Sequence, residues 1–364
     1  MNVDLNAHRE FFNSVTTQKL SEQEKQFCET EITINELYKN LKTFQKNRSP
    51  GLDGLTAELY ISFWHELKSK LIQVYEDSFI RGILPETMRV GVVTLLEKKG
   101  KDRVDLANWR PITLLNVDYK ILTKTLSQRL KTVLPKIIHK DQNGFIPGGN
   151  IYFSAHTIRD ILFYCKKENL KLILLALDYT KAFDSLDFEF IHETFKVFNF
   201  GKNFRKWIKV IFNGGKSSIT NNGHISEKFD IKRSTRQGDP ISPQIFILGL
   251  EILFIVIRAD ENIKGFKIEN NEIKLTAYAD DASYFLKDKI SAGNLGIPVV
   301  ENLKILGHFH GKSELICSYQ NFYSKLEKMK KVLNIWKQRN LTLFGKSLLI
   351  SSLSTSLFLY NIPN

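Results

Sequence analysis

Apolar and polar positions alternate on both sides of a short acidic break near residue 280. Ile273, Leu275 and Ala277 precede the break at two-residue steps, and Ala282, Tyr284 and Leu286 follow it in the same way. Successive side chains of a strand point to opposite faces, so this spacing predicts a β-hairpin with Tyr278-Ala279-Asp280-Asp281 at its tip. A different pattern fills 172–177, which is apolar throughout and predicts a short strand buried on both faces, ending at Asp178. Helical spacing dominates elsewhere. Leu37, Leu41 and Phe44 share one face behind Thr33 and Glu36, a capping-box pair. Residues 57–79 read as helix, 90–96 as strand, and 119–133 as a basic helix that stops before Pro135. Tyr319, Phe322, Leu326, Met329, Leu333 and Trp336 recur at three- and four-residue steps, an amphipathic helix with Lys325, Lys328, Lys331 and Lys337 on its other sides. The apolar run 245–257 is short for a membrane span and carries Glu251, so it reads as a buried core helix. The layout is α+β.

Composition narrows the partners. The formal net charge is +13, from 52 Lys+Arg against 39 Asp+Glu, a balance that attracts phosphate backbones and equally suits a membrane surface or simple solubility. Hydrophobic residues make up 43% of the chain, enough for a substantial core divided into two or three subdomains. Cys28, Cys165 and Cys317 are odd in number and far apart, which fits neither a disulfide framework nor a zinc site. With no secretory pattern in MNVDLNAHREFFNS, an intracellular, reducing compartment is expected.

Three segments carry candidate chemistry. Neighbouring carboxylates at a tight turn repel each other, and a divalent cation would relieve Asp280 and Asp281; oxygen ligands of this kind suit Mg²⁺ or Mn²⁺. An ordinary Asp-Asp turn is the alternative. Asp178, at the end of an apolar strand, stands either as a carboxylate on a rigid support or as the N-cap of a helix begun by Thr180-Lys181-Ala182-Phe183. In Arg236–Pro243, RQGDPISP, Gly238 and Pro240 define a constrained turn and Ser242 caps the helix behind it. Arg236 and Gln237 then donate to phosphate or a base, unless the segment is only a loop leading into a core helix.

Together these segments resemble the active-site motifs of reverse transcriptases, in wording most like those of non-LTR (LINE-type) retrotransposons. The likeness extends through KNRSPGLDGLTAELY (46–60), NWRPITLLNVDYKIL (108–122), QNGFIPG (142–148) and RNLTLFGK (339–346), in the family's order. The resemblance implies a right-hand polymerase fold, with an antiparallel palm sheet carrying catalytic aspartates. It implies a polar segment at 1–30, N-terminal extension and fingers at 31–165, palm at 166–310 and partial thumb at 311–364. Asp178, Asp280 and Asp281 would hold two Mg²⁺ (or Mn²⁺) ions roughly 3.5–4 Å apart for in-line attack of a primer 3′-hydroxyl on a nucleotide α-phosphate. Arg110 and Lys98 or Lys99 would grip the triphosphate, with Tyr179, Gln237 and Gly238 shaping the nucleotide pocket. Phe183 would exclude the ribose 2′-hydroxyl. Arg236, Ala279, Lys325, Lys328 and Lys337 would touch nucleic acid. The implied partners are an RNA template, a DNA primer and dNTPs, without a membrane; protein partners are not implied.

Departures matter equally. After Asp288 the family continues through a long palm helix and a lysine-bearing turn, whereas this chain passes almost directly to Gly296-Ile297-Pro298-Val299-Val300 and Leu303-Lys304-Ile305-Leu306-Gly307. One helix and its adjoining strand are expected to be deleted from the palm. Gly149 stands where the family has arginine. An endonuclease domain upstream and a Cys/His knuckle downstream are lacking, as expected of a fragment of an element. The alternative to a polymerase is therefore a catalytically dead, nucleic-acid-binding remnant.

Overall fold

The computed structural model describes residues 5–98, 100, 102–179, 181–287, 302–306, 308–311 and the single positions 320, 321, 327 and 330. Three short helices open the chain: α1 (Leu5–Ser14), α2 (Glu22–Glu29) and α3 (Ile34–Leu41). Thr33 caps α3 by accepting from the Glu36 N–H, but the Glu36 carboxylate does not close the capping box. It is held instead by Arg129. The helix expected over 57–79 is two, α4 (Ala57–Ser62) and α5 (Trp64–Arg81), broken at Phe63, and Gly82 ends the second in the left-handed conformation. One turn, α6 (Glu86–Arg89), leads into β1 (Val90–Glu97) and β2 (Trp109–Leu115), which pair antiparallel with Leu96 opposite Arg110.

The basic helix, α7 (Val117–Ile137), continues through Pro135 rather than stopping before it. Only two residues follow that proline, so its missing N–H costs one bond at the fraying end. After α8 (Ile151–Lys167) and β3 (Ile173–Asp178) come α9 (Ala182–Ser185), α10 (Phe188–Val197) and α11 (Lys202–Phe212). Then follow β4 (Lys216–Asn221), β5 (His224–Ile225), β6 (Phe229–Asp230) and α12 (Ser242–Ala259). The described part closes with β7 (Phe266–Ile268), β8 (Asn271–Ile273), β9 (Leu275–Tyr278), β10 (Asp281–Leu286), β11 (Asn302–Ile305) and β12 (His308–Gly311). Most of the 319–337 helix, and the stretch 288–301 where a palm helix is expected to be missing, lie outside the described residues.

Two compact units divide the chain. The first is Met1–Lys140, Gly144–Gly149 and Tyr179–Glu261; the second is Asp141–Asn143, Asn150–Asp178 and Asn262–Asn364.

In the first unit, β2, β1, β4 and β5 form a mixed sheet, with β6 also paired to β4. Its helical core centres on α7, whose Ile121, Leu122, Leu126, Leu130 and Leu134 are all fully buried. Arg129 joins α7 to the N-terminal helices. Its guanidinium donates to both carboxylate oxygens of Glu36 and to the carbonyls of Cys28, Thr30 and Glu31. All of its donor directions are thus occupied, which is how a cation tolerates near-complete burial. Helix α12 is long and apolar enough to cross a membrane, but Ile245, Ile247, Leu248, Ile252 and Phe254 are buried in the protein. Glu251 is paired with Arg258 of the same helix. It is the core helix that the sequence predicts.

In the second unit, β3, β10 and β9 form an antiparallel sheet. Ile158, Ile161 and Cys165 of α8 pack on Phe285, Phe266 and Ile305, with Leu174 and Ala176 of β3 against the same cluster. The expectation that β3 is buried on both faces is not met. Its residues are half-buried, and Leu177 is 37% exposed. The strand lies at the sheet edge, and α8 covers the face carrying Leu174 and Ala176, while Ile173, Leu175 and Leu177 alternate to the other.

Candidate active site

The three candidate catalytic aspartates, Asp178, Asp280 and Asp281, lie in the second unit. Asp178 is the last residue of β3 and Asp281 the first of β10, and the two are direct register partners. Directly opposed residues of an antiparallel pair project to the same face with Cβ atoms about 4.5–5.5 Å apart. Asp178 is therefore a strand terminus opposite a second carboxylate. The helix-cap alternative is excluded, because α9 starts after Lys181 and has no side-chain cap.

Asp280 occupies the hairpin turn. Asp281 also pairs with Tyr278, so only Ala279 and Asp280 lie between the strands. Ala279 has φ +58° and Asp280 is not among the positive-φ residues. Positive φ at the first central residue alone is the signature of a II′ turn, whose usual occupant there is glycine. An alanine in that position stores strain unless its surroundings hold it.

They do hold it. The Ala279 N–H donates to Gln142 Oε1 at 2.9 Å, and Gln142 Nε2 donates to the Ala279 carbonyl at 3.2 Å. Gln142 is 3% exposed and forms a parallel bridge with Ala277. On either side of it, the Asn143 N–H donates to the Ala277 carbonyl and the Ala277 N–H donates to the Asp141 carbonyl. Ser154 of α8 adds a hydroxyl to the Ala277 carbonyl and accepts from the Asn143 amide. The sequence singled out QNGFIPG as a motif without giving Gln142 a role; a buried amide beside a turn tip leaves no periodic signal.

Carboxylate crowding has an electrostatic consequence. Burial raises the Asp281 carboxyl above the usual aspartate range, and the charges of Asp280 and Asp178 raise it further. A divalent cation would relieve that repulsion, so the donor set is chemically suited to a hard ion. Among the described residues, however, no group of three or more His, Cys, Asp or Glu side chains is gathered closely enough to form a finished cation cage.

The remaining candidates among the described residues belong to the first unit. Thr113 N–H of β2 donates to the Gln237 carbonyl at 2.7 Å. Gly238 has φ +109°, and a Cβ there would lie 2.5 Å from the Thr113 carbonyl oxygen, so the turn requires glycine twice over. Ser242 does not cap α12; it is the first helical residue, and its hydroxyl is buried without a hydrogen-bond partner. Asp239 organises the turn instead, accepting from the Ile241 N–H and from the Tyr119 hydroxyl at 2.6 Å.

Arg236 departs from expectation. It is 5% exposed, its guanidinium lies 5.5 Å from the centre of the Tyr119 ring, and Gly215 leaves the space it fills. A cation packed over an aromatic face inside the protein is not a surface donor to phosphate. Its charge instead helps hold down the buried Asp239, whose carboxyl burial pushes up.

Phe183 is half-buried, stacked on Phe246 with ring centres 4.6 Å apart and edge-on to Phe145 at 6.4 Å. Arg110 is exposed on β2. Lys98 donates from Nζ to the Ala107 carbonyl at 2.9 Å, closing the β1–β2 loop. Tyr179 follows β3 directly and is half-buried. Lys325, Lys328 and Lys337 lie outside the described residues, as does Lys99.

Comparison with known proteins adds an independent line. Residues 96–337 match the family model described as reverse transcriptase (RNA-dependent DNA polymerase). A Xenopus laevis protein, "Transposon TX1 uncharacterized 149 kDa protein", is 36% identical over 273 residues, covering 74% of this chain and 21% of that protein. The Pol polyprotein of the type-2 retrotransposable element R2DM of Drosophila melanogaster is 27% identical, covering 71% of this chain and 24% of its own length. That of element R2 of Popillia japonica is 25% identical, covering 65% and 32%. The chain thus spans about a fifth to a third of the length of these curated relatives.

Proposed function

Because the chain belongs to the reverse transcriptase (RNA-dependent DNA polymerase) family, and its relatives are non-LTR retrotransposon proteins, we propose that it extends a DNA 3′-hydroxyl with dNTPs on an RNA template. The observation that carries this reading is Asp281 facing Asp178 across β3 and β10, with Asp280 adjacent in the turn. Strands from distant parts of the chain deliver three carboxylates to one end of one sheet. Enzymes of this family use divalent metal ions, and Mg²⁺ is the ion we assign. When bound, it stabilises the attacking and leaving oxygens of the displacement.

The chain's own residues divide the remaining work. Asp178 and Asp280 are the carboxylates we assign to bridge the metal ions, with Asp281, which faces Asp178 across the strands, assisting. Arg110 and Lys98 are assigned to the triphosphate, Tyr179, Gln237 and Gly238 to the nucleotide pocket, and Phe183 to exclusion of the 2′-hydroxyl. The primer contact expected of Ala279 is not assigned, because the residue is 4% exposed and both of its backbone polar groups are taken by Gln142. Residues 31–165 are assigned to extension and fingers, 166–310 to a palm lacking part of its C-terminal half, and 311–364 to a partial thumb. Buried free thiols at Cys28 and Cys165 support a reducing compartment.

Primer extension by the purified chain, with an RNA template, a DNA primer, dNTPs and Mg²⁺, tests the reading. Extension that is lost in Asp281→Asn and in Asp280→Ala is expected. Salt-sensitive RNA binding with no extension by the unmodified chain would instead establish a dead nucleic-acid-binding remnant.

A further inference from the structure

The tip of the β9–β10 hairpin is held by a side chain from outside the hairpin. Ala279 occupies a glycine position of its turn, with φ +58°. Both polar groups of its backbone are taken by one residue: its N–H by Gln142 Oε1 and its carbonyl by Gln142 Nε2. A side-chain amide donates and accepts through the two atoms of one planar group, as a backbone pairing partner does. Gln142 itself is fixed, because Asp141 and Asn143 are hydrogen-bonded to Ala277 on each side of it and the side chain is buried. The next residues along the hairpin are Asp280 and Asp281.

We propose that Gln142 is the positioning residue of the acidic site: its side-chain amide locks the Ala279 peptide in the left-handed conformation and thereby fixes where Asp280 and Asp281 present their carboxylates to a divalent cation. The proposal rests on reading the aspartates as a cation site. Gln142 touches no substrate in it. Without the clamp, alanine relaxes toward negative φ, the turn reorients, and the two carboxylates following it lose their fixed relation to Asp178. Asparagine is one methylene too short to reach, and leucine or methionine keeps the volume but offers neither bond.

The test measures the folded full-length chain with Mn²⁺ as the probe, without nucleotide. Gln142→Leu and Gln142→Met are compared with the unmodified chain by amide hydrogen exchange and by Mn²⁺ titration, with far-UV circular dichroism confirming the fold. Exchange at the Ala279 amide is expected to accelerate about tenfold or more, while the Ala277 amide, held by the Asp141 carbonyl, stays protected. Mn²⁺ affinity should fall by about tenfold. Adding Ala279→Gly to Gln142→Leu should restore much of it, since glycine adopts positive φ without help. Equal Mn²⁺ affinity in the unmodified chain and in either folded variant overturns the proposal. Should Gln142→Leu fail to fold, Gln142→Met carries the comparison. If the unmodified chain binds no Mn²⁺, or binds it unchanged after Asp281→Asn, the aspartate reading falls and the proposal with it. That outcome remains distinguishable, because the exchange difference at Ala279 persists.

Discussion

Phe183 lies face to face with Phe246, ring centres 4.6 Å apart and planes 21° from parallel. An aromatic clamped this way is a rigid wall, and a wall is what discrimination against an extra hydroxyl requires. If Phe183 excludes the 2′-hydroxyl as proposed, Phe183→Val should admit ribonucleotides, lowering the preference for dNTP over rNTP in primer extension by about tenfold or more. It should also cost about 1–3 kcal/mol of stability through the lost stacking and the cavity. Lower stability with unchanged sugar discrimination would leave Phe183 a packing residue only.

Gly238 is constrained by its own φ of +109° and by the Thr113 carbonyl 2.5 Å from where a Cβ would sit. Gly238→Ala should therefore destabilise the fold by about 2–4 kcal/mol, read as a lower denaturant midpoint with unchanged slope. Gly100, also at positive φ but with open space around it, should tolerate alanine better.

The Arg129–Glu36 pair ties α7 to α3, with the arginine side chain 4% exposed and the carboxylate 26%. Removing one partner of such a pair leaves an uncompensated charge, so Glu36→Ala should cost about 3–5 kcal/mol. Arg129→Lys should also be destabilising, because an ammonium cannot occupy the forked carboxylate and the three carbonyls together. Urea unfolding of the single variants gives the comparison.

Asp118 gives the chain a pH dependence of a definite sign. Burial first, and the nearby Asp53 charge after it, push its carboxyl up to about 6 from the ordinary 3.8, against the hydrogen bond from the Tyr119 N–H. A raised acid binds its proton more tightly when folded, so its contribution is fully present below pH 3.8 and is lost as pH rises toward 6. The loss is on the order of 1–3 kcal/mol. Asp118→Asn should remove that slope and stabilise the chain at pH 7. Chemical denaturation at pH steps from 4 to 7 reads the effect, and an unchanged slope would show that Asp118 does not titrate there.

Much of this molecule was legible in short-range pattern. The strand at Val90–Glu97, the core helix at Ser242–Ala259 and the hairpin flanking Asp280 follow from periodicities within one element. The helix through Pro135 and the break at Phe63 were not, because a helix end depends on what packs beside it as much as on its own residues. Arg236 read as a donor to phosphate or a base because it adjoins the Gly238–Pro240 turn, whereas the Tyr119 ring, distant in sequence, made an interior place for it.

The amino-acid order alone determined which residue types were available for chemistry, and the strand and turn propensities that put acidic groups at element ends. Only the tertiary structure decided that Asp178 stands opposite Asp281, and that Gln142 grips the turn between the strands. Register between remote strands, and the reach of a buried amide, are settled by the packing of the whole sheet on α8. That packing is a sum over many distant contacts, which no local window of sequence contains.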